Sequence, residues 1–162
     1  MIHYIKGDAT NPQTPGKKLI VHVCNDIGAW GAGFVLAISK RWSAPEQFYR
    51  SLKTWVLGKI QPVQVTPDIT VVNMIAQHGI MDHKFKGIID IDARPAIRYQ
   101  ALGICMTQVR ELALQQNATI HMPRIGCGLA GGKWNEVEKI LEETCSDVFI
   151  FVYDYEPQTK KV

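Results

Sequence analysis

The chain has 162 residues, 46% of them hydrophobic and 20% charged, with a formal net charge of +3. That length favours one domain with a substantial core, and that composition excludes disordered and fibrous classes. The small positive charge suits an anionic ligand and falls well short of a nucleic-acid surface.

The opening "MIHYIK" alternates apolar and polar residues and reads as a short strand ended by Gly7-Asp8. A loop rich in Pro and Gly follows, "NPQTPGKK". "LIVHVC", Leu19 to Cys24, is nearly all apolar, the signature of a strand buried on both faces. Gly33 to Arg41 reads as a helix with Phe34, Leu36, Ala37 and Ile38 on its apolar side. A second helix should start near Pro45 and Glu46, since Pro is favoured in a first turn, and stop before Gly58. "IQPVQVT" and "ITVVNMIA" read as strands separated by Pro67-Asp68. Residues 77–91 form the least regular stretch, a long loop of the kind that often carries function.

A long helix is expected from Ala93 to Gln116, with Ile97, Ala101, Ile104, Cys105, Gln108 and Leu112 at helical spacing. "ATIHMP" is another strand, and "RIGCGLAGG" another glycine-rich loop. Trp134 to Cys145 is an amphipathic helix with Trp134, Val137, Ile140 and Leu141 inward. "DVFIFVYDY" is the last strand. The alternation of strands and helices predicts an α/β fold, a sheet between two helical layers.

No apolar run reaches the ~18 residues of a membrane span. The N-terminal residues lack the basic-then-apolar layout of a signal peptide, so a cytoplasmic protein with no membrane partner is expected. Cys24, Cys105, Cys127 and Cys145 form no C-x-x-C pair. They read as free thiols, with no structural zinc and no cofactor implied. His78, Asp82 and His83 lie close in sequence but read as a solvated polar loop before a metal site.

Two glycine-rich loops, Gly28 to Gly33 and Gly126 to Gly132, each follow a strand and precede a helix. In such sheets ligands lie beyond the carboxyl ends of the strands, so both loops belong on one rim. Glycines admit close backbone approach and a following helix favours an anion, which fits a diphosphate held by backbone amides. Neither loop is a Walker or dinucleotide fingerprint. Each alone could be a tight turn.

"YIKGDAT", "LIVHVCNDIGAWGAGFVLAISKRW" and "HMPRIGCGLAGGKWNEVEKILEE" together resemble the macrodomain family, which binds ADP-ribose. The likeness runs in order along nearly the whole chain. It is closest to the branch of ADP-ribose 1″-phosphate phosphatases and terminal ADP-ribose protein glycohydrolases. It implies one three-layer α/β/α macrodomain over residues 1–155, with a mixed and roughly six-stranded sheet, and a C-terminal tail over 156–162.

The resemblance also implies roles. Asp8 is the acid on the adenine amino group, with Ala9 offering backbone. Asn25 and the loop Gly31-Ala32-Gly33-Phe34 lie along the distal ribose and diphosphate. Ile125, Gly126, Cys127, Gly128 and Leu129 close over the diphosphate from the other side. Tyr153 and Tyr155 flank the adenine or proximal ribose. His22 is catalytic at a terminal phosphate, as nucleophile or general acid–base, with Asp26 as an acidic partner.

Read from the residues alone, His22 in an apolar strand is a core His bonded to a neighbouring strand, and Asp8 is a turn cap. Cys127 has no neighbour that would obviously lower its pKa. Ala130 stands where the glycohydrolases carry an acid, and Ala76 and Gln77 where they carry a lysine nucleophile. Lys84 and Lys86 lie further on. The expected function is binding of ADP-ribose and hydrolysis of ADP-ribose 1″-phosphate to ADP-ribose and phosphate. The alternatives are a module that binds without chemistry, or a hydrolase acting on ADP-ribosylated macromolecules.

Overall fold

The computed structural model describes residues 1–80, 96–128 and 130–156. Leu129, Asp82, His83, Lys84, Lys86 and the tail 157–162 therefore lie outside the described residues, as does most of the expected loop 77–91. Six strands form one sheet in the order β1-β6-β5-β2-β4-β3. They are β1 (Ile2–Lys6), β2 (Lys18–Asn25), β3 (Ile60–Gln64), β4 (Ile69–Gln77), β5 (Thr119–Pro123) and β6 (Ile150–Asp154). All pairings are parallel except that of the edge strand β3 with β4, so the sheet is mixed as expected.

Strand β2 is central because both of its faces are apolar. Leu19 and Val21 point into one core, while Ile20 and Cys24 point into the other. The period of two does this sorting, and it sends His22 to the same side as Ile20. Helices α1 (Phe34–Arg41) and α2 (Ala44–Arg50) cover that side, with Ile38 and Tyr49 fully buried. Helices α3 (Tyr99–Gln116) and α4 (Trp134–Thr144) cover the other, where Leu102, Met106, Val109, Val137 and Leu141 are fully buried. Each such aliphatic side chain contributes roughly 1.5–3 kcal/mol.

Two helices differ from the sequence reading. The long helix begins at Tyr99, not Ala93. Arg98 is an extended N-cap, and Ile97 makes an isolated antiparallel bridge to Gln77. The inward stripe of α3 is Ala101, Leu102, Cys105, Met106, Val109 and Ala113, whereas Ile104 is exposed. Helix α2 ends at Arg50, well short of Gly58. There the Trp55 indole donates to the Tyr49 carbonyl at 2.9 Å and folds the chain back.

Candidate functional site

The topology fixes where a ligand can sit. After β2 the chain leaves through α1 and α2 toward β3 and β4, on one side. After the neighbouring strand β5 it leaves through α4 toward β6, on the other. Loops that diverge from adjacent parallel strands open a crevice at their carboxyl ends. Both glycine-rich loops border that crevice.

The first loop is held from within. Ile27 and Ala29 amides donate to Asn25 Oδ1 (3.1 and 3.0 Å), and Asn25 Nδ2 donates to the Ala29 carbonyl (2.7 Å). The buried Tyr49 hydroxyl donates to the Asn25 carbonyl at 2.6 Å. The Asn25 side chain thus braces the turn. Gly28 sits against the Trp55 ring, where a Cβ would stand 2.5 Å from it. Gly31, Ala32 and Gly33 are exposed, and their amides take no hydrogen bond among the described residues. Gly33, with φ 80° and ψ −145°, caps α1 in a conformation open essentially to Gly alone. Together they present a row of donors at a helix N-terminus.

His22 lies beneath this loop. It is 2% exposed, its Nε2 is 2.6 Å from Asn73 Oδ1, and its ring meets Trp30 edge-on and Phe34 at a tilt. Burial pushes its pKa down to about 4, against the Asn73 hydrogen bond, so the imidazole is neutral near pH 7. Asp26 is not its partner. The Asp26 carboxylate takes His78 Nδ1 and the Gly79 amide, both at 2.8 Å.

The second loop is tightly folded. The Gly132 amide donates to the Gly126 carbonyl at 2.7 Å, so close that a Cβ on Gly132 would stand 2.4 Å from that oxygen. Ile125 is buried in the core, whereas Gly128 is exposed and Cys127 half-buried. Burial pushes the Cys127 thiol up, outweighing the Arg124 charge. Arg124 anchors the start of the loop. Its Nε donates to Asp154 at 2.7 Å, and its guanidinium lies 5.2 Å from the centres of both Tyr4 and Trp134.

At the ends of β1 and β6 the rim deepens into a cleft of about 300 Å³ lined by Gly7, Asp8, Ala9, Phe34, Ala37, Pro123, Tyr153 and Tyr155. The Thr10 amide and hydroxyl donate to Asp8 Oδ1 (2.8 and 2.7 Å), and the Arg41 guanidinium lies 3.5 Å from Oδ2. Burial pushes the Asp8 carboxyl up; the Thr10 hydrogen bonds and the Arg41 charge outweigh it and hold it below its ordinary value. Tyr153 is buried, its hydroxyl 2.8 Å from His121 Nδ1, while Tyr155 is exposed.

The structure thus brings Asp8, Ala9, Phe34, Tyr153 and Tyr155 into one cleft, with Gly31, Ala32, Gly33, Gly126, Cys127 and Gly128 on the loops beside it. It turns Asn25 and Ile125 inward, buries His22, and gives Asp26 a different partner. Thr10, Arg41, His121 and His78 were not foreseen in the site. Thr10 and Arg41 carried a signal, since an Asp two residues before Thr forms an Asx turn and a carboxylate attracts an Arg.

No family model matches the sequence. The chain is 47% identical to a protein of unknown function from Bacteroides thetaiotaomicron, over 95% of this chain and 98% of that one, with a TM-score of 0.85. An ADP-ribose 1″-phosphate phosphatase from Candida albicans is 28% identical, over 88% of this chain and 93% of that one. A macrodomain protein from Streptomyces coelicolor is 41% identical, over 96% of this chain and all of that one, with a TM-score of 0.79. At that identity over full length, the likeness reflects shared descent: this chain belongs to the macrodomain family.

Proposed function

We propose that the chain binds ADP-ribose along this rim and hydrolyses ADP-ribose 1″-phosphate to ADP-ribose and phosphate. The base occupies the cleft between Phe34, Tyr153 and Tyr155, with its amino group toward Asp8. The diphosphate lies between the two glycine-rich loops. What carries this reading is one alignment: an apolar cleft with a carboxylate, followed by Gly31, Ala32 and Gly33 amides with no hydrogen-bond partner among the described residues. The yeast relative, at 28% identity, supports the hydrolytic half.

His22 has a catalytic place only if Trp30 or Phe34 moves, because those rings lie against it. That burial favours a second reading, binding of free or macromolecule-linked ADP-ribose without phosphate hydrolysis. Titration calorimetry with ADP-ribose and phosphate release from ADP-ribose 1″-phosphate separate the two. Binding with release supports the first reading, and binding alone the second. Asp8→Asn is expected to weaken binding at least tenfold under both. Unchanged affinity in that variant would remove the base from the cleft.

A further inference from the structure

We infer that His78, held by Asp26, is the general base that activates the water attacking the 1″-phosphate. The inference rests on the hydrolytic reading above. Strand register brings the pair together. A shift between Cys24 and Asn25 sets Asn25 opposite Gln77, and the Asp26 amide donates to the Gln77 carbonyl at 2.9 Å. The chain then turns so that Asp26 Oδ2 meets His78 Nδ1 at 2.8 Å, while Oδ1 accepts the Gly79 amide at 2.8 Å. Both carboxylate oxygens are thereby occupied, and the Asp26 side chain is only 15% exposed.

A carboxylate that accepts Nδ1–H fixes the tautomer of a neutral imidazole. The lone pair is left on Nε2. His78 is 47% exposed, and among the described residues nothing bonds its Nε2. The base is therefore oriented, accessible and set on the same rim as the cleft. From β6 at the cleft to β4 at His78 are three strand intervals, or ~14 Å at about 4.8 Å each. A ligand with its base in the cleft and its diphosphate over the loops carries its second ribose toward that end. Among the described residues, His22 has no such access.

The step balances. Water oxygen attacks phosphorus as His78 Nε2 takes a proton from it. The bond from phosphorus to O1″ breaks, and O1″ leaves with the electron pair and takes a proton from the imidazolium. ADP-ribose and inorganic phosphate result, and His78 returns to its neutral form. Asp26 acts through His78 and is a positioning residue.

The test uses the full chain with His78→Gln and Asp26→Asn, reading phosphate release and ADP-ribose calorimetry on the same samples. General-base loss removes about 10²–10⁴-fold in rate, so H78Q is expected to lose at least 100-fold in kcat with ADP-ribose Kd within threefold of native. D26N, whose amide would donate to Nδ1 and move the ring proton to Nε2, is expected to lose kcat with KM nearly unchanged. Native turnover retained by H78Q overturns the inference and leaves the proposed function standing. A fall in binding that matches the fall in rate also overturns it, in favour of a structural role. ADP-ribose binding by the native chain with no phosphate release overturns the hydrolytic reading and this inference together.

Discussion

Mild acid should weaken this fold through its buried histidines, and His22 isolates the effect. Its pKa in the folded chain is pushed down to about 4 by burial, from an ordinary value of 6.5. The unfolded chain therefore takes up a proton that the folded chain refuses. Stability is complete above about pH 6.5 and falls as pH drops below it, levelling off near 4. Between pH 7 and pH 5, one such group accounts for about 2 kcal/mol. His121, also pushed down to about 4, adds a similar amount on another part of the sheet. His22→Gln keeps an N–H that can donate to Asn73 Oδ1 and removes the titration. Urea unfolding of native protein and variant at both pH values gives the answer as a double difference. The native chain is expected to lose about 2 kcal/mol more than the variant. Other titrating groups, His121 included, cancel between the two. Equal losses would refute a neutral, buried His22.

The close approach of Gly132 to the Gly126 carbonyl predicts that Gly132→Ala displaces the second loop. ADP-ribose affinity measured by calorimetry is expected to fall at least tenfold, about 1.4 kcal/mol; native affinity would show that this loop does not hold the ligand. The raised Cys127 thiol is expected to react with iodoacetamide at pH 8 more slowly than a free cysteine peptide, followed by mass spectrometry. Faster labelling would reopen a nucleophilic role.

Much of the rim was legible in the sequence because its signals are local. The apolar run Leu19 to Val23 marks a strand covered on both faces, and a glycine-rich loop after such a strand marks its carboxyl end. Asp8 and Tyr153 are grouped by the family resemblance alone, and the parallel pairing of β1 with β6 is what brings their strand ends together. What escaped depends on pairing across distance. Asp26 and His78 are 52 residues apart and meet only through the register of β2 with β4, including its shift. His22 illustrates a subtler loss. Its position on β2 fixes the face it points to, yet nothing local says that Trp30 and Phe34 close over it. The start of α3 failed for a related reason, since the bridge of Ile97 to Gln77 outweighs helical periodicity there.

The parallel pairing of β1 with β6 has a practical consequence for handling the protein. Residue 2 lies beside residue 150 and residue 6 beside residue 154, so Met1 sits at the end of the sheet away from the cleft. Five residues of strand separate the two ends, about 16 Å at roughly 3.3 Å each. A surface tether or fluorescent label attached ahead of Met1 leaves the rim facing solution. The other end of the strand pair, at Asp154, opens on the cleft, where Tyr155 is part of the lining, so a label placed on Tyr155 itself would compete with the ligand for the cleft mouth. Immobilised-protein binding assays should therefore be built from the N-terminal side, and a large difference between the two orientations would itself report where the ligand enters.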